Sequence, residues 1–294
     1  MSDDIKSINW FPGHMRKALN ETVENLKKVD CVYETCDARI PFSSRNPELD
    51  KLVGNKPRVV ILNKADLADP DQTDKWIAYF KDKGISAIPM EANRKKGLDK
   101  LYSVTDVLCG DIIEKAKAKG MQGKTIKVLV VGVPNTGKST LINGIAGRKA
   151  AVTGNKPGVT RNVKWIRTEG KLDLMDMPGV LWPKIATKRS QLVLTATGAI
   201  KSEVTDTLEV AYETCNLLWK LYPKCMSERY NIAEDYLDTM GDEYDRFLAM
   251  GKGRGCLMSG GRIDEERFAR LLLDDLRSGR IGRITLESPD KPES

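Results

Sequence analysis

Gly132-Val-Pro-Asn-Thr-Gly137-Lys138-Ser139 has the residue types and spacing of a loop that cradles nucleotide phosphates. Glycines at its ends let the amides of Asn135, Thr136 and Gly137 turn inward around a β-phosphate. Lys138 supplies a mobile cation for the β- and γ-oxygens, Ser139 brings a hydroxyl to Mg²⁺, and Pro134 and Thr140 complete the run. A second group, Asn63-Lys64-Ala65-Asp66, fits recognition of a guanine base. Asp66 can accept two parallel hydrogen bonds from N1–H and the exocyclic amine, Asn63 can bond the far edge, and the Lys64 stem can lie against the ring. Adenine presents neither donor there, and an unpaired carboxylate makes discrimination strong, roughly 10⁴-fold. Glu91-Ala92-Asn93 stands where a loop supporting guanine belongs, with the Ala92 backbone amide as the donor to the base. Asp176, in Asp-Met-Pro-Gly179, fits the carboxylate that holds Mg²⁺ through water, and Gly179 offers its amide to the γ-phosphate. Taken alone, Asp-x-Pro-Gly is also an ordinary turn. Thr160 lies between the phosphate loop and Asp176, as a metal-binding switch threonine must, and is preferred to Thr153 on position.

These groups must be positioned by alternating strands and helices. Cys31–Cys36, Arg58–Leu62, 85–89, 126–131 and 172–175 read as strands, and 15–29, 72–83, 97–119 and 138–146 as helices. That alternation predicts a mainly parallel sheet covered on both faces, with ligands at the strands' carboxyl ends. The base-reading group precedes the phosphate loop, the reverse of the usual order, so the expected fold is an α/β P-loop GTPase domain that is circularly permuted. Beyond residue 200 only helical periodicity remains, including a helix begun at Asp264 with Ile263 and Phe268 as a staple and stopped at Gly279. The expected division is residues 1–200 for the GTPase domain with its N-terminal extension, 201–287 for a small all-α domain, and 288–294 for a disordered tail. Residues 281–286 read as a short strand, and the glycines between 251 and 261 as a mobile loop.

The chain of 294 residues has a formal charge of +7 that is unevenly placed. Residues 1–200 carry 34 Lys and Arg against 22 Asp and Glu, the remainder 14 against 19. The basic part suits a polyanionic partner, which loses counterions on binding. The run from Arg148 to Arg167 has six cations, no acid and Trp165, a composition that grips RNA backbone and stacks on an unpaired base. Arginines and lysines from Lys252 to Arg283 suggest a second contact face. Six cysteines form no Cys-x-x-Cys pair, which argues for buried free thiols rather than zinc or disulfides. A polar start and the absence of an 18-residue apolar run predict a cytoplasmic protein without membrane spans.

Together these motifs, with Asn9-Trp-Phe-Pro-Gly-His-Met15, Asp37-Ala-Arg-Ile-Pro41 and Ser44-Arg-Asn-Pro47, resemble the circularly permuted GTPases of the YlqF/YawG family over nearly the whole chain. The resemblance implies GTP hydrolysis with Mg²⁺, and action on precursors of the large ribosomal subunit through rRNA and ribosomal proteins, with neither membrane nor DNA as partner. It marks His14, the only histidine, as a candidate catalytic group, because Val180 stands where many GTPases carry a water-orienting glutamine. Hydrolysis by the chain alone should then be slow and stimulated by the subunit. The loop also resembles those of potassium-activated GTPases, which makes Asn135 the candidate ligand of a monovalent cation, K⁺. The alternatives are a P-loop phosphotransferase acting on a small substrate, and a GTPase switch acting on another RNA or protein.

Overall fold

The computed structural model describes residues 21–121, 123–151, 163–179, 185, 187–200, 206–232 and 242–291. Residues 21–26 end a helix whose Thr22 and Leu26 are buried, and the rest of the helix expected over 15–29 on its N-terminal side lies outside the described residues. Strand β1 (Cys31–Asp37) follows, buried at every position. Next come α1 (Pro47–Val53), β2 (Arg58–Asn63), α2 (Pro70–Asp82), β3 (Ser86–Met90), a 3-10 turn at Ala92–Arg94, α3 (Leu98–Leu108) and α4 (Gly110–Ala118). Strand β4 (Ile126–Gly132), α5 (Lys138–Ala146), β5 (Lys164–Arg167) and β6 (Leu172–Asp176) complete the α/β part.

These strands form one sheet in the order β3-β2-β1-β4-β6-β5. Every pairing is parallel except β5 with β6. Strands buried on both faces can be apolar at successive positions, as Val59–Leu62 and Val128–Val131 are. One face packs Tyr33, Ile61, Ile88 and Val130 with Leu101 and Ile142. On the other face, Val32 and Leu129 meet Leu49 and Val53 of α1, and Val60 and Leu62 meet Trp76 and Phe80 of α2. Glu34, buried within β1, is matched by a two-pronged pair with Arg45, both bonds 3.0 Å.

The expected helix over 97–119 is two helices. It breaks at Cys109 (φ −102°, ψ 9°), which ends α3 and starts α4, immediately before Gly110, a poor helix former. Beyond the sheet lie α6 (Lys188–Ala196), α7 (Thr207–Leu221), α8 (Pro223–Tyr230), α9 (Glu243–Gly253) and α10 (Glu265–Ser278). Their shared core includes Val193, Ala211, Leu218, Phe247, Phe268 and Leu272, and reaches Ile40 and Val133 of the α/β part. Asp264 caps α10 through its bond to the Arg267 amide at 3.0 Å, and Gly279 ends it at φ 75°. Tyr236 and Met240, expected on one helical face with Ile232, lie outside the described residues.

Two sequence expectations are corrected here. Gly251 and Gly253 are not in a loop but in the last turn of α9, where small size permits close packing: a Cβ on Gly253 would stand 2.5 Å from the Tyr230 carbonyl oxygen. Residues 281–286 join no sheet, because their amides bond to loops: Ile284 to Leu67 O at 2.9 Å and Leu286 to Arg39 O at 2.8 Å. At the tail, Ser288 and Lys291 close a turn, the Lys291 amide donating to Ser288 O at 3.2 Å. All six cysteines are free, and five of them are buried. Among the described residues, no helix is long and apolar enough to cross a membrane.

Candidate nucleotide-binding site

The two halves of the site stand at the carboxyl ends of the strands that flank β1: β2 and β3 on one side and β4 and β6 on the other. Asn63 joins them. Its Nδ2 donates to Thr136 O at 2.7 Å, and its Oδ1 accepts the Ala92 amide at 3.0 Å. Sequence reasoning assigned Asn63 to the far edge of guanine and the Ala92 amide to the base. These two groups are bonded to each other, so the loop Glu91-Ala92-Asn93 is tied to the phosphate loop through one carboxamide. Glu91 pairs with Lys96 at 2.8 Å and Arg94 at 3.3 Å, which braces the turn, and Asn93 is exposed.

Gly137 has φ 88° and Asn135 φ 62°, so the chain alternates hand through the phosphate loop, a geometry that gathers amides into a concave anion site. A Cβ on Gly137 would collide with Asn63 Nδ2. Thr35, at the end of β1, touches Thr136: their hydroxyls are 2.9 Å apart. Pro134 backs onto Gly179, whose added Cβ would stand 3.2 Å from Pro134 Cα, so Gly179 lies against the phosphate loop.

Lys138 and Asp176 are both buried and form an ion pair. Burial lowers the Lys138 pKa against the opposing pull of Asp176. The ammonium and the carboxylate thus share one spot, which the phosphates and a divalent cation would divide between them. Ser139, in the first turn of α5, and Thr140 beside it are partly exposed. Hard oxygen donors of this kind fit Mg²⁺. Among the described residues no cluster of three or more His, Cys, Asp or Glu could hold a metal, so Mg²⁺ would be completed by phosphate oxygens and water. Thr160 and His14, and with them Val180, lie outside the described residues.

Lys64 adopts φ 59°, a left-handed conformation that costs a non-glycine residue about 1 kcal/mol. It is held there by its Nζ bond to Asp37 Oδ2 at 2.9 Å. Asp37 also receives a two-pronged bond from Arg39, at 2.9 and 2.7 Å. Burial pushes the Asp37 carboxyl upward, but the Arg39 and Lys64 charges outweigh it and hold it well below the usual carboxylate range. Arg39 in turn donates to Leu276 O of α10 at 3.0 Å.

Asn135 Nδ2 donates to Gly198 O, at the end of α6, at 2.6 Å. The expected role of Asn135 at a cation would therefore involve a side chain already oriented by the helical part. Sequence reasoning missed Thr35, Gly198 and Arg277, which contact the site or brace it from remote positions. Arg277 bonds Ala196 O at 2.9 Å and Thr195 O at 3.0 Å, and Arg280 pairs with Asp275. Arg277 thus leaves the expected basic face at 252–283 for an internal role, while Lys252, Arg254, Arg262, Arg267 and Arg270 remain exposed.

A phosphate loop on β4, preceded in the chain by a guanine-reading loop on β2 and joined to it by Asn63, defines a circularly permuted GTPase. Residues 127–233 match a family model described as a 50S ribosome-binding GTPase. A ribosome biogenesis GTPase A of Bacillus cereus is 44% identical over 284 residues, 97% of this chain and 95% of that protein. Another from Thermotoga maritima is 29% identical over 285 residues, 96% and 95% of the two. The crystal structure of GNP-bound YlqF from T. maritima is similar at a TM-score of 0.62 and 25% identity, covering 93% of this chain and 99% of that one. The chain belongs to the ribosome biogenesis GTPase A (YlqF) family, and it hydrolyses GTP.

Proposed function

We propose that this GTPase binds precursors of the large ribosomal subunit in its GTP state and is released on hydrolysis, acting in the cytoplasm on rRNA and ribosomal proteins. The observation that carries the nucleotide half is the Asn63 bridge, which holds the base-reading and phosphate loops at one site. The ribosomal half is supported by the names of the relatives and by the exposed basic edge of the sheet, where Lys164, Trp165 and Arg167 of β5 stand beside Arg148. Asp66 reads guanine N1–H and the amine, Lys138 and the amides of the phosphate loop hold the phosphates, and Gly179 senses the γ-phosphate. Ser139, Thr160 and, through water, Asp176 would hold Mg²⁺, which would supply positive charge against the phosphates. Asn135 would serve a K⁺ ion at this site.

Val180 can neither donate nor accept a hydrogen bond, so water must be oriented by another group. His14 takes that role, since an imidazole can accept a proton from water or orient it in either tautomer. In the test, purified large subunits are added to the full chain. Turnover should rise strongly with subunits and stay at the basal rate in His14→Ala, which keeps its GTP affinity. Turnover indifferent to subunits would remove the ribosomal reading, and normal stimulation of His14→Ala would remove the histidine's role.

A further inference from the structure

The segment carrying Asp66 has few bonds to its own domain. The Ala65 amide donates to Met90 O at 3.1 Å and the Leu67 amide to Lys64 O at 2.9 Å. The carbonyls of Ala65, Leu67 and Ala68 and the amide of Asp69 are met from the far end of the chain. Arg283 donates from Nη2 to Ala65 O at 3.0 Å and from Nε to Ala68 O at 2.8 Å, spanning the loop with one planar fork. Between these bonds, the Ile284 amide donates to Leu67 O at 2.9 Å. The Asp69 amide donates to Thr285 Oγ1 at 3.1 Å, and the Tyr222 hydroxyl lies 3.1 Å from Asp69 Oδ2 and 3.0 Å from Thr285 O. The strap is anchored beyond the loop by Trp76 Nε1, which donates to Glu287 O at 3.1 Å.

We propose that Arg283 is a positioning residue for guanine recognition, and that the strap of residues 281–287, following the last helix, sets the affinity of the site for the base. The inference rests on the reading of Asp66 as the guanine acceptor. A carboxylate that must meet two donors at once tolerates little displacement, and fixing its loop before binding avoids the entropy of ordering it afterwards. Carbonyls at 65, 67 and 68 released from the strap would turn to water, and the left-handed link at Lys64 would lose its restraint on one side. Coupling of this kind is reciprocal. Bound guanine nucleotide therefore secures the strap and the helices behind it, and a partner that pulls the strap away loosens the nucleotide.

The full chain and its Arg283→Ala and Tyr222→Phe variants are titrated with GDP, inosine diphosphate and ADP. Inosine lacks the amine that Asp66 reads. Arg283 is exposed, so its truncation opens no cavity, and Tyr222→Phe removes only a hydroxyl and serves alone if the first variant does not fold. The loss of two bonds in Arg283→Ala should weaken GDP about tenfold. It should also reduce the preference for GDP over inosine diphosphate at least threefold, with Tyr222→Phe smaller in the same direction. Affinity and preference within twofold of the parent would overturn the proposal, as would weaker binding with the preference intact, the mark of fewer folded molecules. A parent that does not prefer GDP to ADP would overturn the underlying guanine reading and the proposal with it.

Discussion

Glu287 illustrates how a single carboxyl can make the strap sensitive to pH. It is buried, and its oxygens accept the Phe42 amide at 2.7 Å and the Ser43 amide at 3.2 Å. Burial raises its pKa to about 7 despite those bonds and the Arg189 charge. Between its ordinary value of 4.5 and about 7, the folded chain keeps a proton that the unfolded chain has released. Its contribution to stability is therefore full below 4.5, falls as pH rises through that window and is level above it. The loss is at most about 3 kcal/mol. Glu287→Gln should flatten the dependence, so that denaturant midpoints at pH 5 and pH 8 lie closer together than in the parent. An equal difference in both proteins would count against the assignment. Asp37 does not interfere, because its depressed pKa makes its contribution present above 3.8 and lost only in stronger acid. The phosphate loop and Asn63-Lys-Ala-Asp were legible at this scale because each residue type has its own chemical task at fixed spacing. Arg283 was not, since nothing local ties it to residues 65–68, more than 200 positions away. The Asp37-Ala-Arg39 sequence carried a partial signal: an acid and a base two residues apart where a strand should end.

Strand β5 is an edge strand, and its outer groups explain both its use and its invisibility. Of its four positions only Ile166 is buried, while Lys164, Trp165 and Arg167 are exposed, so no alternating pattern marks it as a strand. Its pairing with β6 supplies what the local sequence lacks. The exposed cations also discourage pairing with another chain's edge. If this edge grips rRNA, replacing Lys164 and Arg167 with Ala should flatten the log–log dependence of large-subunit RNA affinity on salt by about 1.5, leaving GTP affinity unchanged. An unaltered slope would assign those cations to solvent. Long, strongly periodic elements such as β2 and α10 were legible because burial repeats along them. The break at Cys109 was not, because the apolar spacing of α3 continues into α4. Nor was the path of residues 281–286, whose apolar residues match a strand while their amides serve loops.

At the scale of the molecule, the helical part meets the GTPase part at several places, and two of them differ in chemistry. Arg283 and its neighbours bond the loop of residues 65–69, whereas Asn135 and Gly198 connect the phosphate loop to α6. The segment after Gly179 leads directly to α6, so a change at the γ-phosphate is expected to move the helices about the base-side fastening. Distances between spin labels on exposed Lys115 of α4 and Glu266 of α10 should differ between GTP-analogue and GDP states; identical distances would count against it. The permutation itself was legible from motif order alone, but the two fastenings appear only when distant residues meet. The strand order has one more consequence. Strands β3, β2 and β1 form one contiguous half of the sheet and β4, β6 and β5 the other, meeting only along the β1–β4 seam. During synthesis the first half leaves the ribosome with β1 as a bare border awaiting its neighbour. A protease nick between Gly120 and Met121 would cut no strand or helix, and would part Asn63-Lys-Ala-Asp from the phosphate loop.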